Sequence, residues 1–152
     1  MSTDRREQIL VQLVAIAEAV PGIIKVVRNR IEISEEQRPA IAILDADEIA
    51  EEGVLGGRKL PGPSPRLVNL SPEMYLMLGA LAAGINVGTQ LNGFRLLILA
   101  AVLNDPTLTT LVGSNGEIRY DQCATALARG RTMEGEMGLG FTFRYVLNPS
   151  EL

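Results

Sequence analysis

Leu139-Gly140-Phe141-Thr142-Phe143-Arg144-Tyr145-Val146-Leu147 reads as a strand with one face turned to a core. Leu139, Phe141, Phe143, Tyr145 and Leu147 fall on one side. Gly140, Thr142, Arg144 and Val146 fall on the other, the two-residue period of a half-buried sheet. Asn148-Pro149 ends it. Before it, Ser114-Asn115-Gly116 is a turn, after which Glu117-Ile118-Arg119-Tyr120-Asp121 alternates in the same way.

Working back toward the start, Asp105-Pro106 reads as an N-cap and first-turn proline of a short helix ending at Gly113. A longer helix is expected from about Thr89 to Leu103, with Leu91, Phe94, Ile98 and Ala101 on one side. Its run Leu96-Leu97-Ile98-Leu99 is apolar around much of the surface, so the helix is either deeply buried or also contacts a partner. Leu67 to Leu78 has strand character broken at Ser71-Pro72, and a proline without an N–H implies a bulge or an edge position. Ala40-Ile41-Ala42-Ile43-Leu44, entered through Pro39, suits a strand covered on both faces. Ile23 to Val27 is a short β-branched strand. Arg28 to Gln37 is a polar connection, in which Arg30-Ile31-Glu32-Ile33 alternates as if for a brief pairing.

The first helix is expected from Asp4, with Glu7 placed as in a capping box. Ile9, Leu13, Ile16 and Val20 form its stripe, and Pro21-Gly22 stops it. The order α-β-β-β-α-β-β, with no internal repeat and no domain break, predicts one α+β domain over residues 1–152. Its sheet is mixed and mainly antiparallel, with helices packed on one face.

The chain has 152 residues, 47% of them apolar and 21% charged, ordinary for a folded domain and wrong for a disordered one. Its net charge of −4 argues against a free-standing nucleic-acid binder, which needs a basic face. Met74 to Phe94 is uncharged and long enough to span a bilayer. Its amides and glycines (Asn86, Gln90, Asn92; Gly79, Gly84, Gly88, Gly93) favour instead a buried strand, a loop and a helix start. The N-terminus has no signal-peptide pattern.

The single cysteine, Cys123, closes no intrachain disulfide and suits assembly in a reducing cytoplasm. No basic residue lies within three positions of it, so it reads as a small packed hydrophobe. The chain has no histidine, which removes the commonest general base and both the Cys–His and Ser–His–Asp arrangements. Gly53-x-x-Gly56-Gly57 lacks the Lys-Ser/Thr of a phosphate-binding loop. No cofactor is expected. Arg129 and Arg131 beside Glu134 and Glu136 read as a balanced surface, and Met133 and Met137 as packing.

Two neighbouring segments stand out. Asp45, Asp47, Glu48, Glu51 and Glu52 place five acids in eight residues with no base among them. They form a solvated face, a partner- or channel-facing surface, or an oxygen-ligand metal site, although the spacing does not match a calcium loop. Gly53 to Arg66 then packs seven Gly or Pro into fourteen positions, part of a long excursion at about 47–66 between strands. Loops of that length are functional or mobile. Val54, Leu55 and Leu60 with Arg58, Lys59 and Arg66 make it a candidate assembly contact, Arg58 and Lys59 facing Glu51 and Glu52 of a neighbouring copy.

Several stretches together resemble the tail-terminator proteins of long-tailed phages, the group also called minor tail protein U. In the first half they are Arg6-Glu7-x-Ile9-Leu10, Pro21-Gly22-Ile23 through Val27-Arg28-Asn29, and Arg38-Pro39-Ala40-Ile41 with Leu44-Asp45-Ala46-Asp47-Glu48. In the second half they are Leu91-Asn92-x-x-Arg95, Val102-Leu103-x-Asp105, Gly116-x-Ile118-Arg119-Tyr120, and Met133-Glu134-Gly135-Glu136-Met137-Gly138-Leu139-x-Phe141-x-Phe143-x-Tyr145. The resemblance implies a non-enzymatic virion protein of the tail or neck. It would form a ring, expected to be hexameric, that caps the tail tube, stops its growth and docks the head connector. The implied partners are further copies of the chain, the tail-tube protein and the connector or stopper. DNA would only pass through the lumen, and no membrane is involved. Another neck protein, a stopper or adaptor, shares this size and layout. A small carboxylate- or metal-dependent enzyme is the alternative of a different class.

Overall fold

A computed structural model describes residues 4–53, 62–79, 86–127 and 135–152. Its spine is the predicted C-terminal strand, β7 (Gly135–Leu147). On one edge β7 pairs antiparallel with β6 (Glu117–Leu127), from Glu117 opposite Arg144 to Leu127 opposite Gly135, with Asp121 as the extra residue of a bulge. On its other edge lie two strands end to end, β4 (Arg66–Leu70) and β5 (Glu73–Met77). Their register against β7 is continuous: Leu70 faces Phe143 and Glu73 faces Gly140, so no residue is inserted between them.

The break is Pro72. The Phe141 amide donates to the Pro72 carbonyl at 3.2 Å, and proline has no N–H to return the bond. The expected edge position is therefore not found, since this strand lies inside the sheet. The bulge is present but sits in the neighbouring strand. β2 (Ala40–Leu44) and β3 (Glu48–Ala50) run along β5 and β4, with Leu44 opposite Glu73 and Glu48 opposite Leu70. Asp45, Ala46 and Asp47 thus oppose only Ser71 and Pro72, and Ala46 takes a positive φ of 60° to absorb the extra residue. β3 also shortens the loop expected at 47–66. β1 (Lys25–Arg28) joins β2 in parallel, the one parallel pair among the described residues of the seven-stranded sheet.

Three helices cover one face, as the pattern predicts. α1 (Arg5–Glu18) is capped by the Asp4 carboxylate, which accepts from the Arg6 amide at 3.0 Å. α2 (Val87–Leu103) starts at Asn86, whose side chain accepts from the Thr89 amide. α3 (Pro106–Val112) follows the Asp105 cap. Beneath them Ile41, Ile43, Leu70, Leu139, Phe141 and Phe143 lose all contact with water. Each such side chain contributes roughly 1.5–3 kcal/mol relative to exposure.

A second, smaller cluster occupies the opposite face. Val27, Ala40, Ala42 and Met77 are covered there by Ile33 from the connection after β1. This explains why β2 reads as apolar throughout: Ile41 and Ile43 face the helices while Ala40 and Ala42 face Ile33. Arg30–Ile33 forms no strand; the segment ends in one 3-10 turn at Glu35–Gln37. Among the described residues no single helix is long and apolar enough to cross a membrane.

Candidate assembly face

α2 buries only one side. Val87, Leu91, Ile98 and Val102 recur at helical spacing and point to the sheet. The opposite side holds Gly93, Leu96, Leu97, Ala100 and Leu103, with Leu96 65% and Leu103 40% exposed. Of the two possibilities left by its all-round apolarity, deep burial is thus not realised. From Asn86 to Gly116 the chain carries only two charges, Arg95 and Asp105. Both have partners within the chain. The Arg95 guanidinium lies 5.5 Å from the Tyr120 ring centre and donates to its hydroxyl, while also reaching Cys123. The Asp105 carboxylate accepts from the Leu108 amide at 2.8 Å and from the Gln12 amide side chain at 3.3 Å. What remains outward is a neutral helix surface.

Beside it, the end of α1 and the flank of α2 enclose a groove of about 450 Å3 lined by Ile16, Val20, Leu97 and Ala101, together with Asn104 and Asp105. Its aliphatic part comes from Ile16 and Val20 at the end of α1 and from Leu97, Ala100 and Ala101 on α2. Gly22, at φ 89°, lets the chain turn away under Phe94, whose ring is 3.3 Å from where a Cβ would stand.

The five clustered acids do not form one face. Asp45 accepts two hydrogen bonds from Arg28 at 2.8 and 2.9 Å, and the same guanidinium donates to Glu7 at 2.7 and 2.8 Å. Hydrogen bonding to Arg28 holds both carboxyls below their ordinary range, and the two acids raise the pKa of Arg28. Glu7 is therefore turned toward β1, away from the capping-box role expected of it.

Strand alternation separates the next two acids. Glu48 points to the helix side and accepts from the Tyr145 hydroxyl, which burial and Glu48 push well above its ordinary range. Glu51 points to the rear and takes Arg144 at 2.8 and 3.2 Å. Asp47 and Glu52 are the exposed pair.

Of the expected loop contact, Arg66 opens β4, is exposed, and donates to the Glu51 carbonyl at 3.2 Å. Val54, Leu55, Arg58, Lys59 and Leu60 lie outside the described residues, as do Arg129, Arg131, Met133 and Glu134. The proposed pairing of Arg58 and Lys59 with a neighbour's acids finds Glu51 already engaged by Arg144. Cys123 packs half-buried against the core, with the basic neighbour that local sequence lacked supplied from α2 by the fold. Among the described residues no three His, Cys, Asp or Glu side chains gather as a metal would require.

The rear of the sheet is the charged side. Arg119 with Asp121, Glu51 with Arg144, and Glu136 beneath the Tyr75 hydroxyl all lie there. Burial and Glu136 push Tyr75 up to about 12. The molecule is thus two-sided: an α+β sheet with Arg119–Asp121 and Arg144–Glu51 behind it and, in front, a helix layer in which the outer side of α2 is neutral and partly apolar. No known protein family matches the chain, and no curated protein matches it.

Proposed function

We propose that the chain is a structural, non-enzymatic assembly protein of a tailed-phage virion, a tail-terminator-like subunit. In this reading it closes into a ring, hexameric in the family it resembles, on the last ring of the tail tube. It stops tube growth there and offers its other side to the head connector.

The observation that carries the reading is the outward side of α2. Leu96, Leu97 and Leu103 stand exposed on a helix whose one charge lies over the Tyr120 ring. A free-standing domain gains nothing from such a surface, whereas a protein that works by fitting against other proteins needs one. The net charge of −4 supports passage of DNA through the lumen without adhesion, with Asp47 and Glu52 as the acids free to line it.

The test uses the purified chain with polymerising tail-tube protein. The expected result is tubes capped at one end by a ring in negative-stain images, and growth arrested as the chain is added. Tubes that lengthen unchecked with no density at their ends would refute the reading, as would turnover of a substrate by the chain.

A further inference from the structure

The groove between the ends of α1 and α2 has two unlike parts. Ile16 and Val20 on one helix and Leu97 and Ala101 on the other give it an aliphatic length, and Asn104 and Asp105 line it where α2 turns into α3. Both helices finish beside it, and neither carries a basic residue in its last turn. The negative ends of two helix dipoles therefore meet here without the cation that such ends favour. Among the described residues no Lys or Arg lines the groove. The chain as a whole carries a net charge of −4, which draws cations toward it.

From this we infer that the groove receives a lysine side chain presented by a partner protein, its aliphatic stem along Ile16, Val20, Leu97 and Ala101 and its ammonium donating to Asn104 and Asp105. The inference goes beyond the tail-terminator reading and takes from it only that the occupant is a protein.

Hydrogen-bond capacity selects lysine over arginine. The Asp105 carboxylate accepts from the Leu108 amide at 2.8 Å on Oδ2 and from the Gln12 side chain at 3.3 Å on both oxygens. These fill three of the roughly four acceptor positions of a carboxylate and leave one, on Oδ1. All of these donors are neutral. Asn104 donates through Nδ2 to the Ala100 carbonyl at 3.0 Å, and its Oδ1 accepts no bond among the described residues. Single acceptors on two adjacent residues suit a compact ammonium with its rotatable donors. The flat guanidinium fork, which binds best to both oxygens of one carboxylate, finds Asp105 already occupied.

Shape selects a tethered side chain over a free amine. The groove of about 450 Å3 is open to solvent along one side. Pockets for free small ligands cover most of the ligand's surface, whereas an open groove covers one side only. A lysine stem buries its methylenes on such a surface while its head reaches polar groups. Leu97, 45% exposed, and Leu96 beside it extend the apolar surface past the groove for the partner's neighbouring residues. A second copy is a poor donor, with only Lys25 and Lys59 to offer and the same negative charge.

The experiment titrates the protein, followed by heteronuclear NMR, with three probes: a capped Gly-Ala-Lys-Ala-Gly peptide, the same peptide with norleucine for lysine, and n-pentylammonium. The lysine peptide should shift the amides of Leu97, Ala101, Asn104 and Asp105. It should bind about tenfold more tightly than the norleucine peptide, the worth of one charge-assisted hydrogen bond at a partly exposed site. Asp105→Asn keeps a good helix cap and should remove that preference while leaving norleucine binding as it was.

Equal binding of the two peptides by the wild type would overturn the inference, as would shifts confined to other residues or none at all. Tighter binding of n-pentylammonium than of the lysine peptide would make this a site for a free amine and refute a protein occupant. Self-association of the chain that Asp105→Asn abolishes would name a second copy as occupant and refute a separate partner. Should Asp105→Asn fail to fold, the two peptides on the wild type decide the matter. The tube-capping assay reads none of these outcomes, so the ring can fail while the lysine site stands, and the reverse.

Discussion

Replacing Arg28 with methionine tests whether the fold depends on a guanidinium that ties three elements together. Arg28 leaves β1 and donates twice to Glu7 on α1 and twice to Asp45 at the β2–β3 bulge, all between 2.7 and 2.9 Å. Charge-assisted, bidentate bonds of this kind are worth about 1.5–3 kcal/mol, against about 0.2–1 kcal/mol for an open surface pair. The side chains are 29%, 46% and 21% exposed, so solvent screens the Glu7 arm more than the Asp45 arm. A loss of about 2 kcal/mol follows, or a fall of about 4–8 °C in Tm for a chain of this length.

The pH dependence identifies the cause. Both carboxyl pKa values are lower folded than unfolded, Glu7 from 4.5 and Asp45 from 3.8, each through its bond to Arg28. Their contribution is complete above those unfolded values and disappears as pH falls through the lower, folded ones. Urea titrations followed by circular dichroism should therefore show the full gap between wild type and variant at pH 7 and a narrower gap at pH 3. A gap below about 0.5 kcal/mol at pH 7 would refute the reasoning. A gap equal at both pH values would assign the loss to packing.

Gly116→Ala should destabilise by about 3 kcal/mol or more, because its Cβ would stand 2.3 Å from the Val112 carbonyl and 2.5 Å from that of Arg144, both backbone; calorimetry reads it directly. Gly93→Ala meets nothing within 4 Å and should raise monomer stability by about 0.5–1 kcal/mol in the same measurement. Phe141→Ala should cost about 3–5 kcal/mol and lower the urea midpoint, since the ring is fully buried between the helices and the centre of β7. Asp105→Ala should cost about 0.5–2 kcal/mol by removing the α3 cap, and amide exchange should quicken first at Leu108.

The parts of the fold that depend on period were legible in the sequence. Leu139 to Leu147 alternates because β7 has helices on one side only, and Ala40 to Leu44 is apolar throughout because Ile33 covers its second face. Asp105-Pro106 and Asp4 carry their capping signals in a few residues. What could not be read is whatever joins residues far apart. Glu7 fits a capping box locally, yet its carboxylate is drawn to Arg28, 21 positions on.

The acids from Asp45 to Glu52 look like one charged block. A bulge and a three-residue strand send them to different faces, and nothing in the local pattern marks where β3 begins. The exposed side of α2 was half legible: its composition showed two apolar sides, but only the packing shows which is left over. Arg95 beside Cys123 had no local signal, since α2 and β6 meet only in three dimensions.

β7 has a consequence for how the chain comes into being. Every strand it joins (β4, β5 and β6) is made before it, so the central seam of the sheet waits for thirteen residues that leave the ribosome after all their partners. Until then β4, β5 and β6 each lack their common neighbour, and the Phe141 and Phe143 rings that knit the helix layer to the sheet are not yet made. Such long-range closure is slow. Through that interval the unpaired edges of β4, β5 and β6 stand open together with the apolar outer side of α2, the combination that exposes a nascent chain to misassembly.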